Sequence, residues 1–128
     1  MIIKSIPVLP AINIPETILF YRDKLNFEAT LYPDYLVVRS GQLEIHFYKT
    51  PDPSLCKHSV CLIWVNNIED FFLHLAALDI MDSVSKLEVK SLGTKEFILR
   101  DNNGNSLRFA QQGLYGTVNK YQDHHTGG

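Results

Sequence analysis

Glu44, His46 and Tyr48 alternate along the stretch LEIHFYK at residues 43–49. Side chains of a strand point alternately to its two faces, so these three share one face while Leu43, Ile45 and Phe47 share the other. A carboxylate and an imidazole on one face can hold a divalent cation or anchor a polar ligand through hydrogen bonds. Arg108 lies in a similar stretch, SLRFAQ, at residues 106–111. Its guanidinium is permanently positive and would repel a metal ion from the place where a carboxylate would hold one. Trp64, in the apolar run VCLIWV, adds a flat aromatic surface.

The elements that must position these side chains occur twice. AINIPETILFYRDKL offers a short apolar strand, Asn13 as a helix cap with Glu16 three residues on, and an apolar helical face from Ile18, Leu19, Phe20, Tyr21 and Leu25. VCLIWVNNIEDFFLHLAAL repeats the order, with Asn67 and Asp70 at the cap spacing, then Phe71, Phe72, Leu75 and Leu78. A strand pair follows each helix. YLVVRSGQLEIHFYK turns at Ser40-Gly41, and FILRDNNGNSLRFAQ turns at Asn102-Asn103-Gly104, where Asn-Gly is a strong hairpin signal. The intervals 25–35 and 81–94 can each supply one more short strand.

The expected architecture is therefore α+β: one domain over residues 1–112, built of two βαβββ modules at about 1–52 and 57–112. Residues 113–128, including His124 and His125, carry no sustained periodicity and are expected to form a flexible tail.

Strand parity extends the face assignment. Cys61, Ile63 and Val65 turn to the helix side, leaving Val60, Leu62 and Trp64 opposite; Leu107 and Phe109 turn inward, leaving Ser106, Arg108 and Ala110 outward. Glu44, His46, Tyr48, Trp64 and Arg108 would then line one cleft, mixing aromatic surface with a few polar anchors as small-molecule sites do. The same positions fit plain solvated sheet, a Trp64 used in an interface or core, and an Arg108 paired with Glu44.

Twelve basic against fourteen acidic residues give a net charge of −2, which argues against nucleic acid and anionic membranes as partners. MIIKSIPVLP is interrupted by prolines and followed by no small-residue cleavage site, so a cytoplasmic location is expected. Cys56 and Cys61 are not spaced as a zinc ribbon or a redox pair, and Cys61 reads as a buried free thiol.

Three segments carry a resemblance to a known family: PVLPAINIPETILFYRDKLNFE, DYLVVRSGQLEIHFYK and KEFILRDNNGNSLRFAQ. From Ile6 to Gln111 the chain resembles the bleomycin resistance proteins, within the glyoxalase and ring-cleaving dioxygenase superfamily called vicinal oxygen chelate. The resemblance implies paired βαβββ modules forming a curved eight-stranded mixed sheet with helices on its convex face. Metalloenzymes of the superfamily place ligands at four strand positions, which fall here near Ile6, Glu44, Val60 and Arg108. Only Glu44 of these can bind a divalent cation, so neither metal nor cofactor is expected unless His46 and a register-shifted His58 substitute. His74, within the second helix, is expected to be an ordinary surface or core residue.

The bleomycin-resistance branch implies a non-catalytic homodimer that sequesters a large cationic glycopeptide in grooves at the subunit interface. By that analogy Tyr32, Tyr35, Tyr48 and Trp64 would stack on the ligand, and Asp34 and Glu44 would meet positive charge. Pro10 matches a proline associated in that branch with an exchanged first strand. Leu92-Gly93 stands where relatives commonly have Trp-Gly, which removes one stacking surface. The alternative is a metal-dependent glyoxalase-like lyase or thiol transferase of the same superfamily.

Overall fold

The computed structural model describes residues 1–91 and 93–113, so Leu92 and residues 114–128 of the expected tail, with His124 and His125, lie outside the described residues. The first module runs β1 (Val8–Ala11), α1 (Ile14–Ile18), β2 (Glu28–Tyr32), β3 (Tyr35–Ser40) and β4 (Leu43–Lys49). A linking helix, α2 (Pro53–Lys57), leads to β5 (Val60–Trp64), α3 (Ile68–Ala76), β6 (Glu88–Val89), β7 (Lys95–Arg100) and β8 (Ser106–Gln111). The two βαβββ units are thus present in the expected order. Their strands form two four-stranded sheets, ordered β1-β4-β3-β2 and β5-β8-β7-β6, each with one parallel and two antiparallel pairings.

Local chemistry explains most boundaries. The Asn13 side chain accepts from the Glu16 backbone N–H and Pro15 occupies the first turn of α1, where its missing N–H costs nothing. The helix then widens into a π-helical turn over Leu19–Lys24, which brings Phe20, Tyr21 and Leu25 to the core and leaves Leu19 exposed. Asp52 caps α2 in the same way as Asn13 caps α1. Asn67 departs from expectation. It adopts φ 70, ψ 50 and makes no capping hydrogen bond; the first N–H of α3, that of Ile68, instead donates to Gln111 Oε1 at 2.7 Å. A side chain from the end of β8 thus takes the acceptor role that the spacing assigns to Asn67.

One hydrophobic core spans both modules, joining Tyr21, Leu36, Ile45 and Phe47 to Ile68, Leu75, Phe97, Leu99 and Phe109. Ser106 and Ala110, expected on the outward face of β8, are buried. Parity is kept, but β8 is an inner strand, and its small side chains are overshadowed by longer neighbours: Ala110 lies between Trp64 and Glu96 in register, and Ser106 between Val60 and Arg100.

The β7–β8 turn, Asp101 to Asn105, does more than reverse the chain. Asp101 Oδ1 accepts from the backbone N–H groups of Asn103 and Asn105, closing the turn, and Gly104 supplies the φ of +99 that it needs. Asp101 Oδ2 accepts from the Tyr21 hydroxyl at 2.8 Å and from Asn105 Nδ2 at 3.0 Å. Asn105 Nδ2 also donates to the Pro10 carbonyl at 2.8 Å, the Ile12 N–H donates to Asn103 Oδ1, and Asn102 and Asn103 donate to Thr17 Oγ1. The turn of the second module thereby holds β1 and α1 of the first.

Asn105 is fully buried and bridges the modules. Asn105→Ala removes the amide donor to Pro10 and to Asp101 and leaves the Pro10 carbonyl only the weak Cys56 thiol at 3.6 Å, so it should cost about 1–3 kcal/mol in urea unfolding. Asn102→Ala, at an exposed position with one hydrogen bond to Thr17, should cost less. Equal losses from the two would show that the bridge is not what joins the modules.

Candidate functional site

On the first sheet, register places Glu44, His46 and Tyr48 of β4 beside Arg39, Val37 and Tyr35 of β3. Tyr35 is in turn beside Tyr32 of β2, so Tyr48, Tyr35 and Tyr32 form a row across three strands on the outward face. The core side of β4 is Ile45 and Phe47, both fully buried, as parity requires.

A hydrogen-bonded chain crosses this face. Glu44 Oε2 lies 2.6 Å from His46 Nε2, and His46 Nδ1 lies 2.8 Å from the Tyr35 hydroxyl. An ionised carboxylate only accepts, so Nε2 donates to Glu44, which leaves Nδ1 to share a hydrogen bond with the Tyr35 hydroxyl. Glu44 Oε1 takes the Lys4 ammonium at 2.9 Å and stands 3.5 Å from Arg39 Nε. The hydrogen bonds from Lys4 and His46 hold the Glu44 carboxyl well below its ordinary 4.5, at about 2. Neither Lys4 nor Arg39 is singled out by the sequence pattern. Arg39 could have been found by counting back through the Ser40-Gly41 turn, whereas Lys4 precedes the strand and has no local signal.

The second sheet carries the counterpart with the charges exchanged. Arg108 Nε and Nη2 donate to the two oxygens of Glu96 on β7, at 2.8 and 3.1 Å, so its partner is Glu96 and not Glu44. Glu96 is only 8% exposed, and the hydrogen bond from Arg108 lowers its pKa despite burial. Trp64, 57% exposed, lies on the edge strand β5 with Val60 and Leu62, all three turned outward. The parallel ladder sets Leu62, not Val60, beside Arg108.

The eight residues expected to bind ligand are therefore distributed. Tyr32, Tyr35, Glu44, His46 and Tyr48 share the outward face of the first sheet by register, while Trp64 and Arg108 belong to the second. Tyr32 and Asp34 also border a hollow of about 590 Å³ with Ile12, Pro15, Leu31 and Lys49. Trp64 borders another of about 940 Å³ with Asn66, Asp70, Phe71 and Gln111. Arg108 and Glu96 line a third, of about 450 Å³. No described hydrogen bond or ion pair joins Glu44 to Arg108.

The donor set does not suit the superfamily's metal. Beside Glu44 and His46, the corresponding positions offer the hydrocarbon side chains of Ile6 and of Val60 or Leu62, and a cation at Arg108. His58 is exposed at the end of α2, and His74 is exposed on α3. Among the described residues no group of three or more His, Cys, Asp or Glu gathers as a metal site would need.

The folded pKa of Glu44 lies below its unfolded value, so its ionised form favours the fold. That contribution is present above pH 4.5 and is lost as pH falls towards about 2. The denaturation midpoints of the protein and of Glu44→Gln should accordingly converge over that interval. A constant gap through it would mean that the carboxylate is not held by these partners.

No family model matches the chain. Bleomycin resistance proteins of Geobacillus stearothermophilus and Staphylococcus aureus are 26% identical to it over 128 aligned positions, covering 86% of this chain and 97% of theirs. A bleomycin resistance determinant encoded on the transposon Tn5 superposes with a TM-score of 0.77 at 22% identity, covering 88% of this chain and 100% of that one. The bleomycin-binding protein of bleomycin-producing Streptomyces verticillus, complexed with copper(II)-bleomycin, also gives 0.77, at 25% identity and 88% and 98% coverage. A glyoxalase-related enzyme from Clostridium phytofermentans gives 0.73, at 16% identity and 88% and 96% coverage. In sequence the chain is a relative of the bleomycin resistance proteins, and with them and the glyoxalase-related proteins it shares the tandem βαβββ fold.

Proposed function

We propose that this protein is a non-catalytic, homodimeric binder that sequesters a bleomycin-like small molecule. The observation that carries the reading is the chemistry at the superfamily's metal positions. Aliphatic side chains and an arginine, itself held by Glu96, stand where a metalloenzyme needs lone pairs. What replaces them is binding surface: a row of three tyrosines on one sheet, and an exposed tryptophan beside two exposed aliphatic residues on the other. Aromatic faces of this kind hold flat heterocycles.

The way these surfaces are divided supports dimerisation. The two half-sites lie on separate sheets of one chain, and both are open to solvent at Tyr48, Leu62 and Trp64. A second copy can set the first sheet of one subunit against the second sheet of the other, which would enclose a ligand between tyrosines and tryptophan. A cytoplasmic location accompanies the proposal, in keeping with the two free thiols Cys56 and Cys61. No helix among the described residues is long and apolar enough to cross a membrane.

Because Trp64 is the only tryptophan, its fluorescence reports directly on the groove. Metal-free and copper-bound bleomycin should each quench it with a dissociation constant at or below about 1 μM, equivalent to roughly 8 kcal/mol, and Trp64→Phe should weaken binding measured by calorimetry. Sedimentation should show a dimer at the same concentrations. No binding, or a monomer, would remove the reading. One bound metal per chain in untagged protein, lost on Glu44→Ala, would favour instead the metal-dependent lyase that Glu44 and His46 leave open.

A further inference from the structure

The hollow around Arg108 has a charge pattern that points to one ligand chemistry. Its wall carries three cations, Lys86, Lys90 and Arg108, against two carboxylates, Glu88 and Glu96. The buried carboxylate has little left to offer a ligand, and the exposed one has a lysine beside it. Glu96 accepts from Arg108 through both oxygens and from Thr94 through Oε2 at 3.1 Å, while Glu88 stands 3.6 Å from Lys90.

The donors are not used up. Arg108 engages Glu96 through Nε and Nη2, and its Nη1 has no hydrogen-bond acceptor among the described residues. Its side chain is 43% exposed, so that edge is within reach. Lys86 is exposed and forms no ion pair among the described residues. Alongside, edge strand β5 presents an apolar strip in Val60, Leu62 and Trp64, with Leu62 in register beside Arg108. An arginine edge and a free ammonium next to an apolar strip match a carboxylate attached to a flat hydrocarbon body.

The first sheet has the same bias. The Glu44 carboxylate accepts from Lys4 and His46 and has Arg39 close by, so what remains for a ligand includes the outer N–H groups of Lys4 and Arg39. Glu28, in register beside Arg39, is the other acidic side chain on that face, and it lies at the sheet's edge.

We infer that the hollow beside Arg108 is an anion-accepting subsite, which binds the carboxylate of an aromatic organic acid whose body lies along Val60, Leu62 and Trp64. The inference rests on the small-molecule-binding function proposed above, and it assigns to this half of the groove a ligand charge opposite to that of a cationic drug. Cations are disfavoured there because three cationic side chains face two carboxylates, one of which, Glu96, already holds Arg108.

Three probes of one shape test it by calorimetry on the full chain: cinnamate, cinnamamide and cinnamylamine. Cinnamate should bind about tenfold more tightly than the amide, the scale of one charge-assisted hydrogen-bonded contact, and the amine should bind most weakly. Lys86→Glu, which leaves the Arg108–Glu96 pair intact, should cut the preference for the acid several-fold, and Arg108→Gln should abolish it. Should Arg108→Gln fail to fold by circular dichroism, Lys86→Glu decides. Equal affinities for the three probes, tighter binding of the amine, no detectable binding of cinnamate, or a preference that survives Lys86→Glu would each overturn the subsite. Bleomycin titrated into the same samples separates the two proposals: an acid preference without bleomycin binding overturns the drug assignment alone, and bleomycin binding without an acid preference overturns only the subsite.

Discussion

The hydrogen bond from the Tyr21 hydroxyl to Asp101 joins the two modules at the polar centre of their contact, beside the hydrophobic core that they share. Burial disfavours the Asp101 charge and pushes its pKa up. Opposing that shift are four donors: the Tyr21 hydroxyl, the Asn105 amide and two backbone N–H groups. A buried carboxylate so fully bonded tolerates little displacement, since losing any donor leaves charge uncompensated in a low-dielectric core. Tyr21 belongs to the first module and Asp101 to the second, so the interaction that satisfies the carboxylate also fixes the modules against each other.

That restraint reaches the site through a single strand. Asn105 joins the clamp to β1 through Pro10, and Arg108 follows it three residues later, on β8. Being an inner strand, with β5 on one side and β7 on the other, β8 carries Trp64, Arg108 and Glu96 as a unit. Arg108, with Trp64 and Glu96 on the flanking strands, is thus positioned relative to the first module by the turn at the start of β8.

Much of this was legible in the sequence. Alternation in LEIHFYK and VCLIWV places Glu44, His46, Tyr48 and Trp64 on the correct faces because a strand's period of two leaves no other choice once one face is apolar. Duplication likewise gives the two βαβββ units. What was not legible depends on contacts distant in the chain. Asn67 has the cap spacing of Asn13, yet Gln111, 43 residues beyond Ile68, supplies the acceptor instead. DNNGN reads as a hairpin turn, and nothing local reveals that its side chains reach Pro10 and Thr17, more than 80 residues earlier. Glu96 was recoverable in principle: with Arg100 opposite Ser106, Ile98 faces Arg108 and Glu96 falls diagonally beside it. Diagonal neighbours on adjacent strands are within reach of a long side chain such as arginine.

The two sheets also show how a repeated scaffold can change its chemistry without changing its frame. In the first module an acid on β4 faces a base on β3, Glu44 opposite Arg39; in the second a base on β8 is held by an acid on β7, Arg108 by Glu96. Each arrangement engages both oxygens of its carboxylate in hydrogen bonds and leaves N–H groups to spare. A metal ion needs free lone pairs converging on one point, and here the carboxylates that might supply them are already engaged by cations of their own sheet. Exchanging acid and base between adjacent strands therefore keeps a partly exposed acid–base pair in each module, and both pairs leave N–H groups turned outward.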